Sequence, residues 1–259
     1  MESFREEWYD ANARVAAVFV DVTTPARALA RAHLCGPSAA YCLSKGLAAA
    51  ALLGVDLSAA DETLILQVKG SGPLGGLHVE CSQDGALRGY TEKKILDDLD
   101  AGGSRSDRQI LGKTTLQVTR SIPGRILSQG VAPTLNAYLT TSLQRRAALK
   151  VDASVSEDGD ILLARGLMVE ALPDAPDETA VALPKNLSLA ASPRTILMKL
   201  GLRGAELRKT TPLVFKCRCS PERAQATLAA LSSEERAELP AHVDVTCHMC
   251  GRTFSVPRP

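Results

Sequence analysis

The chain has 259 residues, 23% of them charged and 45% hydrophobic, with a formal net charge of +1. A chain of this length can bury a sizeable core, and its near-neutral charge gives it no overall electrostatic attraction to nucleic acid or to an anionic membrane. The opening residues MESFREEWYD are acidic and mixed, unlike a signal peptide, and no uninterrupted apolar run has the length of a membrane span. We therefore expect a cytoplasmic protein.

Residues 1–172 show helix and strand patterns in an irregular order. Residues 14–23 are rich in β-branched side chains and predict a strand. Two helices follow, the first with Thr24 as a candidate N-cap and the second ending at Gly54. The next patterns predict β structure, and they are listed here in order: a strand at 62–70, a glycine-rich turn and strand at 70–80, a strand at 84–90 and a hairpin at 114–130 turning near Pro123.

The last part of this region predicts a helix over 132–149, with Leu135, Leu139 and Leu143 along one face, and two strands around Asp158-Gly159. Because strands and helices do not alternate regularly, the sequence favours an α+β core domain over a parallel doubly wound sheet.

Residues 173–212 differ from the core because they contain five of the 14 prolines between short leucine-bearing pieces. One interpretation is a helical hairpin packed on the core. The other is a metastable helical linker that can detach from it. The sequence leaves both open.

Four cysteines then dominate the C-terminal domain, residues 213–259. Cys217 and Cys219 form one close pair, and Cys247 and Cys250 form another after 27 intervening residues. Four thiolates suit a tetrahedral Zn²⁺ ion, and the insert can fold back, with Ser220 and Ser232 as helix caps and HVDV as a strand. We predict one zinc per chain. Each pair is also close enough in sequence to form a local disulfide when oxidised.

The remaining cysteines and the histidines carry weaker signals. Cys35, Cys42 and Cys81 have apolar surroundings and no partner at metal spacing, which indicates buried, inert thiols. We interpret His33 and His78 as ordinary residues, and His242 and His248 as neighbours of the zinc site. A nucleic-acid-binding finger is disfavoured because residues 220–246 hold five acidic against two basic residues, a net charge of −3.

With these motifs in place, the sequence resembles the redox-regulated heat-shock chaperones of the thirty-three-kilodalton class. The resemblance rests on CRCS at 217–220, CHMCG at 247–251, LQVKGSGPLGGLHVE followed by GALRGY, and LSKGLAAAALLG near the N-terminus. The chain departs from the family pattern at several positions, among them His248 and Met249 between the last two cysteines, Leu143 where the family usually has glutamate, and ARGLMVE in place of a more glycine-rich strand start.

The resemblance implies an ATP-independent holdase rather than an enzyme. In such proteins the reduced, zinc-bound form is inactive. Oxidation forms the disulfides Cys217–Cys219 and Cys247–Cys250, releases zinc, unfolds the C-terminal region and exposes a surface for unfolding client proteins. The oxidised form is often a homodimer, and clients pass to ATP-driven foldase chaperones.

Two other classes remain as alternatives. A constitutive zinc-ribbon protein would bind a macromolecular partner without redox switching. An enzyme is the third class, but the sequence shows no Ser/His/Asp set and no cofactor fingerprint. GSGPLGG lacks the lysine and the following helix of a phosphate loop, so we predict a β-turn there.

Overall fold

In the computed structural model, which describes residues 2–102, 106–176, 179 and 181–259, two β-sheets both pack against one buried helix. This helix, α2 (Pro37–Leu53), is rich in alanine and leucine and is buried nearly all round, as expected for a helix without a polar face. By length and composition, Pro37–Asp56 could cross a membrane, although Lys45 interrupts its apolar run. Its apolar window is 83% buried inside the protein, so α2 is the core helix of the fold.

A five-stranded antiparallel sheet packs on α2. Its strands, in order across the sheet, are β10 (Glu206–Pro212), β1 (Phe4–Asp10), β2 (Val15–Asp21), β9 (Ile161–Ala171) and β8 (Ala147–Val155). Side chains alternate between its two faces. Val18, Val20 and Met168 point inward to the main core, whereas Phe19 and Leu167 belong to a second apolar cluster on the outer face.

A six-stranded sheet carries the glycine-rich segment. Its strands, in order, are β11 (Val214–Phe215), β5 (Ala86–Thr91), β4 (Gly76–Ser82), β3 (Thr63–Gly70), β6 (Thr114–Ile122) and β7 (Arg125–Ala132). All neighbours are antiparallel except β11 and β5. The predicted turn in GSGPLGG is confirmed: the Gly70 N–H donates to the Gly75 carbonyl at 2.6 Å, and β4 follows, not a helix.

The remaining α-helices in the described part of the chain are short. In chain order they are α1 (Thr23–Ala32), α3 (Asp97–Ala101), α4 (Asp107–Leu111), α5 (Leu135–Ala137), α6 (Pro193–Lys199), α7 (Pro221–Ala229) and α8 (Ser233–Glu238). The strand at 14–23, the second helix, the hairpin at 114–130 and the two strands around Asp158-Gly159 are confirmed. Thr24 is not the N-cap of α1, because the helix begins at Thr23 and Val22 occupies the N-cap position, two residues earlier than predicted.

The predicted helix over 132–149 is wrong. One turn, α5, continues into a π-helical turn at Tyr138–Ser142, and the chain then enters β8. The Asn136 side chain explains the break, because it accepts from the Leu149 N–H at 2.8 Å and donates to the Leu149 carbonyl at 3.1 Å, which ties the turn to the strand. The strand β1 was not predicted either. Its charged residues hide the alternation, and its hydrogen-bond partners lie on β2 and β10.

The segment 173–212 covers the outer face of the five-stranded sheet. Its regular elements among the described residues are α6 and β10, so a single helix forms and not a helical hairpin; residues 177, 178 and 180 lie outside the described part. Leu189, Ile196 and Leu197 are buried against the cluster around Phe19 and Leu167. The segment is therefore packed on the core although much of it is irregular.

The part of the chain that follows β11 forms a small C-terminal unit. It contains α7, α8 and the hairpin β12 (His242–Thr246) and β13 (Thr253–Pro257), around a cluster in which Ala224, Leu228 and Val256 are buried. The predicted caps are confirmed: Ser220 caps α7, and Ser232 and Glu235 form a reciprocal capping box on α8.

Candidate metal centre

Two tight backbone segments present the four thiols. Cys217 and Cys219 follow β11 on a short stretch without helix or strand, and Cys247 and Cys250 lie on the turn between β12 and β13. The turn is closed by the N–H groups of Cys250 and Gly251, which both donate to the Cys247 carbonyl, at 3.3 and 2.9 Å. Gly251 has a φ of +71°, a left-handed conformation that glycine adopts at little cost.

The four sulfur atoms meet in one cluster. The Sγ atoms of Cys217 and Cys247 are 3.8 Å apart, those of Cys219 and Cys250 are 3.4 Å apart, and all four lie within 4.8 Å of one another. A tetrahedral site with Zn–S bonds of about 2.3 Å requires sulfur separations of roughly 3.8 Å. The predicted cysteines are thus brought together, and their spacing fits a four-coordinate metal ion.

A positively charged side chain from the core sheet lies beside the cluster. The Arg88 Nη1 atom is 3.8 Å from the Cys217 Sγ, and Arg88 also pairs with Glu80 at 2.5 Å. Glu80 in turn contacts Arg218, between the first two cysteines, at 3.4 Å. Glu80 therefore bridges the C-terminal unit to the core.

The thiols differ in their tendency to ionise. Burial works against ionisation of Cys217, but the Cys219 backbone N–H and the Arg88 guanidinium outweigh it and lower the pKa of Cys217 to about 7. Burial is the main cause that raises the pKa of both Cys219 and Cys250. A bound cation would therefore be needed to hold four thiolates together at this site.

The C-terminal unit is docked on the core around the second cysteine pair. The Gly89 N–H of β5 donates to the Met249 carbonyl at 3.1 Å, and the His33 Nε2 lies 2.9 Å from the Gly89 carbonyl. Cys250 is only 2% exposed and belongs to the main core cluster. The cluster thus sits at an interface and not on a freely suspended module.

The histidines lie outside this sulfur cluster. His248 packs edge-on against Tyr90, with 5.4 Å between ring centroids, and His78 stacks on the same ring at 5.6 Å. His33 is 3% exposed, and burial is the main cause that lowers its pKa, so its ring is neutral. His242 is an exposed residue of β12.

The three other cysteines are isolated from the cluster. Burial is the main cause that raises their pKa values, to about 11 for Cys35, about 12 for Cys42 and about 11 for Cys81. They are therefore neutral thiols near pH 7. Cys42 and Cys81 are buried as predicted, whereas Cys35 is only half-buried.

Sequence reasoning did not assign roles to Arg88, Glu80 and Gly251 at this site. Arg88 and Gly89 lie within GALRGY, but no spacing rule relates that segment to cysteines some 130 positions later. The one sequence signal for a role at this site was Gly251, because it directly follows the last cysteine, Cys250.

Known proteins are similar to this chain over nearly its whole length. The sequence profile of the family described as Hsp33 protein matches residues 7–257. The 33 kDa chaperonin of Symbiobacterium thermophilum is 32% identical over 263 residues, covering 92% of this chain and 88% of its own length. A 33 kDa chaperonin of Thermus thermophilus is 30% identical over 272 residues, covering 93% of this chain and 79% of its own length.

A solved structure shares the fold. The crystal structure of the 33 kDa chaperonin (heat shock protein 33 homologue) from Thermotoga maritima aligns with a TM-score of 0.83 at 20% identity, covering 100% of this chain and 96% of that one. The profile and the relatives that are at least 30% identical extend from the first sheet to the four-cysteine cluster, and on that basis this chain belongs to the Hsp33 family of chaperones.

Proposed function

We propose that this protein is a redox-regulated, ATP-independent holdase with no enzymatic activity. The observation that carries the proposal is a cluster of four thiols within 4.8 Å, placed directly after a segment that covers an apolar sheet face. In this proposal residues 1–172 are the core domain, 173–212 the linker and 213–259 the redox-switch domain. The site of action is the cytoplasm, and neither nucleic acid nor membrane is a partner.

In the reduced state Cys217, Cys219, Cys247 and Cys250 would hold one Zn²⁺ ion. The bound ion would cross-link two segments of a domain whose own apolar cluster has only three buried members. Structural zinc supplies about 10–16 kcal/mol of apparent binding free energy that is also folding free energy. Domains as a whole have net stabilities of only about 5–15 kcal/mol, so folding of residues 213–259 depends on the four ligands.

Oxidation by peroxide removes those ligands in pairs. A thiolate takes one peroxide oxygen and becomes a sulfenic acid, while the other oxygen leaves as hydroxide and is protonated to water. A neighbouring thiolate then attacks the sulfenic sulfur, forms a disulfide and displaces the second hydroxide. Each disulfide therefore consumes one peroxide, which accepts the two electrons that the two thiolates lose. We propose the pairs Cys217–Cys219 and Cys247–Cys250, since each needs only a local change of the backbone.

Loss of the C-terminal fold would free the linker. The Val214 N–H donates to the Gly85 carbonyl in the turn before β5, the Lys216 N–H donates to the Leu87 carbonyl of β5, and β10 pairs with β1. The C-terminal end of the linker is therefore anchored by contacts that continue into the four-cysteine domain. Once released, it would uncover the outer sheet face for unfolding clients. The active form is proposed to be a homodimer, with clients passed on to ATP-driven foldases.

The test is a light-scattering assay with an aggregating client. Reduced, zinc-bound protein should not suppress aggregation, and protein treated with peroxide at elevated temperature should suppress it. Disulfide mapping of the same sample separates the local pairs from Cys217–Cys247 and Cys219–Cys250, whose sulfurs are close neighbours in the reduced state. If oxidation releases zinc but leaves the client aggregating, the proposal is wrong and a constitutive zinc-ribbon protein is favoured.

A further inference from the structure

The outer face of the five-stranded sheet carries three cationic side chains. Arg146 directly precedes β8, Lys150 lies on β8 and Arg165 lies on β9. Because side chains alternate along a strand, Arg146 and Lys150 share a face with Ala148, and Arg165 shares it with Leu167. Ala148 and Leu167 belong to the outer apolar cluster, so the three cations border it.

All three cations bind backbone carbonyl groups of the covering segment. The Arg165 Nη1 donates to the carbonyls of Leu189, Ala190 and Ala191 at 3.0, 2.9 and 3.1 Å. The Lys150 Nζ donates to the Lys185 carbonyl at 2.6 Å. The contacts of Arg146 are to the carbonyls of Ala175, Pro176 and Thr179, at 3.3, 2.7 and 3.4 Å.

The Arg165 side chain is also held in place by residues of the core sheet. Its Nε donates to the Asp21 carboxylate at 2.8 Å, and its guanidinium lies 5.8 Å from the Phe19 ring centroid. The arginine is therefore fixed by the core sheet, independently of the segment that it binds.

These hydrogen bonds from Arg146, Lys150 and Arg165 are made to backbone carbonyls of the covering segment and not to its side chains. Residues 181–192 contain no helix or strand, so their carbonyls have no regular backbone partners. The sheet supplies cationic donors for these carbonyls, and an apolar surface for Leu189.

We propose that this face is a receptor for extended apolar segments whose backbone carbonyls are unpaired, and that a client segment docks there in place of residues 181–205. The inference rests on the proposed function, because the covering segment must first be displaced. Buried carbonyls of folded proteins are already hydrogen-bonded, so the same chemistry would select unfolded chains. Acidic side chains on the client would not be required.

A labelled peptide with the sequence of residues 181–192, VALPKNLSLAAS, tests the proposal on the oxidised full-length protein. A matched peptide has ester bonds in place of the amides that follow Leu189, Ala190 and Ala191, because an ester carbonyl is a weaker acceptor. Fluorescence anisotropy should show about tenfold weaker binding of the ester peptide, as expected when charge-assisted hydrogen bonds are weakened.

The variant Arg165→Met should bind the amide peptide about tenfold more weakly than the unaltered protein, and it should no longer distinguish the two peptides. Arg125→Met is the control, because Arg125 is an exposed residue of β7 on the other sheet. It should bind both peptides as the unaltered protein does. Client capture should weaken in Arg165→Met and not in Arg125→Met.

Equal affinity of Arg165→Met and the unaltered protein for the amide peptide would overturn the inference. If Arg165→Met does not fold, as judged by circular dichroism, equal binding of amide and ester peptides by the unaltered protein overturns it. If the oxidised protein suppresses aggregation but does not bind the peptide, the inference fails and the proposed function stands. If oxidised protein does not suppress aggregation, both fail.

Discussion

Replacing Gly251 by alanine should undock the four-cysteine domain without removing a ligand. Gly251 has a φ of +71°, and a Cβ placed there would lie 2.4 Å from the Ala32 carbonyl oxygen at the end of α1. That oxygen belongs to the backbone and cannot rotate away. The alanine methyl group can be accommodated only if the turn carrying Cys247 and Cys250 moves off the core.

The cost has two parts. An alanine in the left-handed region costs roughly 1–2 kcal/mol. Lifting the turn also removes the hydrogen bond from the Gly89 N–H to the Met249 carbonyl, worth about 1 kcal/mol, and re-exposes Cys250. The backbone strain is present whether or not the turn is docked, so the lost contacts set the effect on docking. They should weaken it by about 1–2 kcal/mol, which raises the undocked fraction roughly 5- to 30-fold.

Hydrogen exchange of reduced, zinc-bound protein checks this directly. The amides of residues 86–91, and Gly89 above all, should exchange faster in Gly251→Ala, while zinc content stays near one equivalent. Gly124→Ala is the matched control, because Gly124 has a φ of +78° with nothing within 4 Å of an added Cβ. It carries the backbone strain without the contact. If both variants leave Gly89 equally protected, the docking contact between Gly251 and Ala32 does not restrain this domain.

Three further outcomes are expected. Cys247→Ser should lose its zinc and unfold residues 213–259, seen as loss of metal by elemental analysis and new protease cleavage there; full zinc retention would refute the ligand assignment. A variant with alanine in place of Cys35, Cys42 and Cys81 should keep its response to peroxide in the aggregation assay. Loss of that response with the fold intact would show that these cysteines take part in switching. Glu62→Gln should destabilise the core by about 1.5–3 kcal/mol near pH 7, because the buried Glu62 carboxylate accepts hydrogen bonds from Arg120 and two backbone N–H groups. Burial opposes ionisation of Glu62, but these donors lower its pKa in the folded protein. The stability difference between the unaltered protein and Glu62→Gln is therefore complete above the unfolded pKa of about 4.3, and it should shrink as pH falls through the lower folded pKa. A difference in thermal melts that does not change with pH would contradict this.

The sequence by itself determined the features that depend on near neighbours. Ser232 and Glu235 are three residues apart and form their capping box within one turn, and Pro123-Gly124 closes a hairpin between adjacent strands. Each cysteine pair is local, but 27 residues separate the two pairs, and their meeting could be predicted because four thiolates suit one tetrahedral zinc ion. In each case the partner atoms lie within a few residues, or residue chemistry strongly limits the possible arrangements.

Only the tertiary structure decided the features whose partners are distant in sequence. The helical pattern at 132–149 gave way because Asn136 bonds to the strand at Leu149, and β1 exists because β2 and β10 complete its hydrogen bonds on either side. The position of Arg88 beside Cys217, 129 residues away, follows from the pairing of β11 with β5. Contacts of this kind depend on which strands become neighbours, and local propensity carries no information about that choice.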